Sequence, residues 1–203
     1  MLKFNLCNDC VSLCVLVIML LMYDLASQIE KKILVAMPSL NGHPQFSNSV
    51  MYVFSYDEIH IRALIINKRM QCSMQELVNK VVAPKRLSVI NDAPVLCGGF
   101  MRPEEGLILY YDDQENRFDV SFSKDLLMNI AKGLGPQINQ VFLGITSWRY
   151  DEFEQALKEG HWFVSNQPLK EQLSLKLADR YQAATAYLGV RNLAVFAKEQ
   201  AEA

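Results

Sequence analysis

The sequence predicts an α+β domain built on a mixed, largely antiparallel sheet flanked by helices. Three observations carry this. Two pairs of half-apolar, β-branched-rich segments are joined by short polar turns. Helical templates stand between and after those pairs, so the strict strand–helix alternation of a doubly wound parallel sheet is missing. Proline or glycine closes most of the apolar runs.

The first strand is expected at Ile33–Met37, a continuous apolar run stopped by Pro38, which cannot serve a central ladder. Ser39–Pro44, with Asn41-Gly42, reads as loop. Ser49–Tyr56 and Ile61–Asn67 flank a polar Asp57-Glu58 turn and form a hairpin. Ser73 with Glu76 three residues later has capping-box form, and Met74, Leu77, Val78 and Val81 repeat at helical spacing up to Pro84. Pro94–Cys97 is a short strand halted by Gly98-Gly99. Gly106–Tyr111 and Phe118–Phe122 make a second hairpin over an acidic turn. Ser123 caps a helix carrying Leu127, Ile130, Ala131 and Leu134 on one face, closed by Gly133 and Gly135.

Val141–Ile145 is a strand of buried type. Ser147–Glu159 reads as mostly helix, with Ser147 as its cap, Phe153, Ala156 and Leu157 inward and Gly160 as the stop. Trp162–Ser165 is another short strand. The stretch from Pro168 to Leu188 is helical and broken near Ser174; Leu177, Tyr181, Ala184 and Leu188 share a face, and Gly189 ends it. Leu193–Phe196 is a final strand or an extended tail.

Residues 1–27 stand apart as an apolar extension, and 28–203 form the single domain. Cys10–Met22 holds thirteen uncharged residues. That is short of the ~20 a spanning helix requires and nearer a signal-peptide core of ~7–15. Only Lys3 supplies positive charge ahead of it, and Leu25-Ala26-Ser27 is a poor cleavage site. A start at Met22 would give an ordinary leader to the first strand and a cytoplasmic protein; export or membrane association through residues 10–22 is the alternative. Three of the five cysteines (Cys7, Cys10, Cys14) lie here, leaving Cys72 and Cys97 in the body, too few for a disulfide framework.

The whole chain is 51% hydrophobic and 21% charged, with a net charge of −2. Lys3 is the sole basic residue before position 31, against Asp9, Asp24 and Glu30, so the rest is neutral with 19 charges of each sign. Disorder and a strong phosphate-gathering field are both excluded on this balance. Direct nucleic-acid binding is therefore not expected, and neither Lys68-Arg69 nor Lys85-Arg86 belongs to a basic stripe.

Chemistry is sparse. Cys97 before Gly98-Gly99 could be a nucleophile beside free amides, or simply a small residue ending a strand. Gly144-Ile145-Thr146-Ser147-Trp148 has the outline of a nucleophile elbow with Thr146 in the nucleophile slot, but Trp148 replaces the closing glycine. The carboxylates Asp151, Glu152, Glu154 and Glu159 could form an acid–base pair or a solvated helix face, and Asp112, Asp113 and Glu115 a hairpin turn. No phosphate loop and no complete metal-ligand spacing occurs. No cofactor is expected.

Several segments together resemble the YqgE/AlgH family. Ala36-Met37-Pro38-x-Leu40 with Phe46 and Ser49-Val50 is similar to its opening, and Ile65-Ile66-Asn67-Lys68 to its "V-N-K/R-P". Pro94–Gly99 with Gly106–Leu109 is similar to "GGP…GFxLH", and Gly144–Glu154 to "GY-x-x-W-x-x-GQLE". Trp162 matches "N-x-W", and Asp179-Arg180-Tyr181 to Gly189 the closing helix, so the likeness spans about residues 30–195. The chain departs where relatives carry polar or glycine residues: Ser55-Tyr56 for Glu-His, His60–Ala63 for a glycine-rich turn, and Arg69 and Phe100 for prolines. Tyr110 replaces His, and Asp151-Glu152 replaces Gly-Gln.

The resemblance implies a bacterial cytosolic α+β protein whose sheet bends towards a barrel, with no established activity. Some members are called transcriptional regulators. The expectation is a non-enzymatic binding or regulatory protein with a protein or small-molecule partner. Its cleft would lie at Asn67, Gly98-Gly99 and Ser147-Trp148, where strand ends and glycines gather. The alternative is a small-molecule hydrolase using Thr146 or Cys97.

Overall fold

A computed structural model describes residues 28–57, 59–82 and 88–189. The apolar run Cys10–Met22, the Lys85-Arg86 pair and the strand expected at Leu193–Phe196 lie outside these. Eight strands form one sheet: β1 (Ile33–Ala36), β2 (Val50–Tyr56), β3 (His60–Ile65), β4 (Leu96–Cys97), β5 (Met101–Asp112), β6 (Arg117–Ser121), β7 (Asn139–Arg149) and β8 (Trp162–Ser165). The helices are α1 (Met74–Val82), α2 (Lys124–Ala131), α3 (Tyr150–Lys158), α4 (Leu169–Ser174) and α5 (Arg180–Tyr187). Among the described residues their order is the one that the sequence predicts.

The strands run in the order β6-β5-β7-β3-β2-β1-β8, with β4 lying beside β7. Every pairing is antiparallel except β4 on β7. Among the described residues the sheet therefore has two unjoined ends, β6 and β8. It curls strongly, because Tyr52 and Phe54 of β2 pack in one apolar cluster with Phe118 and Val120 of β6, four steps away in the strand order.

Alternation along the strands sorts the core onto two faces. Ile33 and Val35, Val50 and Tyr52, Leu64, Leu107 and Phe142 fill the concave side under α4 and α5. Leu34 and Ala36, Met51 and Val53, Ile61, Ala63 and Ile65 lie on the other side, covered by Phe153 of α3 and by Trp162. A third cluster joins α1 and α2 to Ile108 and Val141.

The capping box at α1 forms as its spacing predicts: the Glu76 amide donates to Ser73 Oγ at 3.1 Å, and Ser73 N–H donates to Glu76 Oε2 at 2.8 Å. Ser123 caps α2 by accepting from Leu126 N–H. Three expectations need correction. Strand β7 continues through Ser147 and Trp148 to Arg149, because Arg62, Ile61 and His60 of β3 pair with them; α3 begins only at Tyr150, and Ser147 is not its cap. Strand β5 starts at Met101, five residues before Gly106, with the extra residues looped out of register against β7. Helix α2 stops at Ala131, so Leu134 is exposed rather than packed on its face.

Candidate functional site

Gly98-Gly99 lies directly on the backbone of β7. Gly98 N–H donates to Leu143 O at 2.9 Å, and Gly98 O accepts from Ile65 N–H at 2.9 Å. A Cβ on Gly98 would collide with Gly144 O, and one on Gly99 with the Ile145–Thr146 peptide. Gly144 reciprocates with φ +74°, a left-handed conformation in mid-strand where its own Cβ would strike Gly99. Three glycines thus permit two strands to cross at backbone distance.

The two candidate nucleophiles are held within this crossing. Thr146 is buried, and its hydroxyl donates to Gly98 O at 3.4 Å. Cys97 is half-buried; its thiol faces Gly99 O at 3.7 Å, and burial pushes its pKa up. Lys68, whose amine is pushed down by burial, donates to Gln45 O at 2.5 Å. The imidazoles bond elsewhere: His43 Nδ1 accepts from Gln45 and Phe46 N–H, His60 sits by Asp57, and His161 by Ser39 and Glu159. No described group of three or more His, Cys, Asp or Glu is placed to hold a metal ion.

Asn67 follows the end of β3. Its Oδ1 accepts from Val50 N–H at 2.9 Å, and its Nδ2 donates to Asn48 O at 2.8 Å, so the side chain ties the start of β2 to the end of β3. Asn48 itself has φ +54°, a bend that this clamp holds. Trp148 stands opposite Ile61, at the other end of β3. Its ring lies 5.4 Å from Phe153, 5.7 Å from Trp162 and 6.1 Å from Phe46. Ser147 is half-exposed beside Arg62. The five residues therefore lie along a strip rather than around one point: Gly98, Gly99 and Ser147 are close together, while the five residues Ile61–Ile65 of β3, roughly 17 Å, lie between the levels of Trp148 and Asn67. Phe100 and Met101, 44% and 50% exposed, continue from the glycines.

The acidic groups pair locally. Glu152 accepts from Arg149 N–H, Asp151 from Arg149 Nε, Glu154 pairs with Lys158, and Glu159 with His161. Asp112 accepts from the Gln114 and Glu115 amides, forming the turn between β5 and β6. No helix among the described residues is long and apolar enough to cross a membrane.

One polar cleft lies in residues that sequence reasoning did not single out. It opens where β2 and β6 meet across the concave face, with Tyr52 at its base. The only signal available was weak: Tyr52 is a hydroxyl-bearing residue at an inward strand position.

Residues 33–193 match the family model described as AlgH-like. A UPF0301 protein of Yersinia pseudotuberculosis is 30% identical over 174 residues, covering 80% of this chain and 92% of the relative. One of Coxiella burnetii is 31% identical over 159 residues, covering 77% and 87%. The solution structure of the AlgH protein from Pseudomonas aeruginosa superposes with a TM-score of 0.69 at 25% identity, covering 83% of this chain and 93% of that one. A Corynebacterium diphtheriae protein shares the fold at 17% identity and a TM-score of 0.52.

Proposed function

The chain belongs to the AlgH-like family, and on that premise we propose that it is a non-enzymatic binding protein with a regulatory role in the cytoplasm. Its partner face is the strip from Asn67 past Gly98-Gly99 to Ser147 and Trp148. The observation that carries this reading is how the nucleophiles are engaged. Thr146 and Cys97 point at carbonyls of the glycine crossing, and the Cys97 thiol is less acidic than usual, whereas a reactive thiol is held as thiolate by a base or a positive field. Beside them Phe100 and Met101 offer adjacent apolar surface, the kind of patch that marks contact with another molecule.

The test is photo-crosslinking in the native cell. A crosslinker at Phe100 should give a discrete adduct that the same group at Leu134, exposed at the end of α2, does not. No adduct, or the same adducts from both positions, would remove the strip. A catalytic turnover abolished by Cys97→Ser or Thr146→Val in a folded protein would overturn the binding reading in favour of a hydrolase.

A further inference from the structure

The cleft at the mouth of the curled sheet has a volume of about 150 Å³ and is lined by Glu30, Lys31, Tyr52, Arg117, Phe118 and Asp119. Phe54 and Val120 complete its apolar wall. Tyr52 is only 3% exposed as a residue, but its hydroxyl opens on this space and is not a fully buried, unpaired atom; among the described residues that is Gln172 Oε1. Buried polar groups are ordinarily paired. Tyr181, also on an inward face, follows that rule by donating to Ala36 O at 2.8 Å. The Tyr52 oxygen, by contrast, is an acceptor and donor at the base of an open cleft.

The charges around it narrow what could use it. Glu30 and Asp119 act on the phenol and, with burial as the larger cause, push its pKa up to about 12, so it stays neutral. Lys31 and Arg117 stand beside them, and the four charges cancel. Arg117 and Asp119 approach only to 4.0 Å with both side chains about half exposed, a pair worth little and easily opened. A ligand of one charge would meet equal attraction and repulsion here, while one carrying both charges a few ångströms apart would be complementary throughout. An ammonium group has three hydrogens to donate, and Glu30, Asp119 and the Tyr52 oxygen are three acceptors. The faces of Phe54 and Phe118 favour a nearby cation and an aliphatic side chain alike. The volume suits a molecule on the order of ten non-hydrogen atoms.

We propose that this cleft binds a small zwitterion of the free α-amino acid class, its ammonium held by Glu30, Asp119 and the Tyr52 hydroxyl oxygen and its carboxylate by Lys31 and Arg117. The site is separate from the Gly98–Trp148 strip, and either can fail without the other.

Calorimetric titration of the full chain with L-leucine, L-methionine and L-serine, and with n-butylamine and butyrate as half-ligands, tests this. At least one amino acid should bind saturably and about tenfold or more tighter than either half-ligand. Tyr52→Phe should weaken that binding about tenfold, the loss of one hydrogen bond to a charged group. Arg117→Gln should bring amino acid and amine to similar affinity. Absence of saturable binding by all three amino acids would overturn the proposal, as would butylamine binding equally well or full affinity in Tyr52→Phe. Should Tyr52→Phe not fold, Asp119→Asn, at an exposed position, carries the same expected weakening and the same refutation.

Discussion

At the crossing of Gly98-Gly99 on β7, polar groups are spent on the fold. Gly98 N–H and O both bond across strands, Thr146 adds a second donor to the same carbonyl, and nearby Asn67 uses both ends of its amide. At the mouth between β2 and β6 the opposite holds. Tyr52 is as buried as Thr146 over the whole residue, but its hydroxyl opens on the cleft, and charges of both signs ring it. The same concave sheet thus contains a region closed by backbone contact and one where apolar side chains meet beneath an open, charged cleft. Tightness marks the first as architecture, and the leftover polarity marks the second as a place for something else.

Substitutions can break or sharpen that contrast. Gly99→Ala should have the largest effect: its Cβ would collide with backbone atoms that cannot swing aside, so a loss of at least about 3 kcal/mol is expected in urea unfolding. Arg180 comes next. It is buried without a carboxylate partner among the described residues, donates to the carbonyls of Ile66, Leu173 and Leu175, and its pKa is pushed down to about 10 by burial. Arg180→Met keeps the packing stem but orphans those carbonyls, which should lower stability by about 2–3 kcal/mol, read from the same unfolding curves. Asn67→Ala should lose about 1–2 kcal/mol by releasing Val50 N–H, with slower-protected amides at Val50 becoming exchangeable in hydrogen-exchange experiments. Tyr52→Phe should change stability by less than about 0.5 kcal/mol, since its hydroxyl opens on the cleft. A large loss there would show that the mouth is architecture too, and the contrast would fall.

Local patterns were legible in the sequence and long-range ones were not. Ser73-x-x-Glu76 and Ser123 announced their helices because a cap is a contact over three residues. The halt at Gly98-Gly99 was equally visible, though not its reason, which is the approach of β7 some 45 residues later. Ser147 was misread as a cap because it has a capping residue's chemistry and precedes an acidic helical turn; pairing with Arg62 keeps it extended instead. The start of β5 at Met101 was hidden by Arg102, Pro103 and two glutamates, which carry no apolar alternation and are looped out of register. Of the candidate strip, the sequence marked the residues but not their spread along β3. The Tyr52 cleft was illegible, since Glu30, Tyr52 and Asp119 are brought together only by the curl of the sheet.

The central position of β7 has a consequence for how the chain must be made. It alone joins β5 and β6 to the group of β3, β2, β1 and β8. During synthesis from the N-terminus, the β1–β3 meander and the β5–β6 hairpin precede β7, and only the short contacts of residues 65–70 with Val95–Gly98 link them until it arrives. The sheet closes only when residues 139–149 are inserted between them and β8 pairs with β1. Such late, non-local pairing folds slowly and leaves unpaired edges open to other chains. Until β7 is paired on both sides, the edges of β3 and β5 are open to strands of other chains.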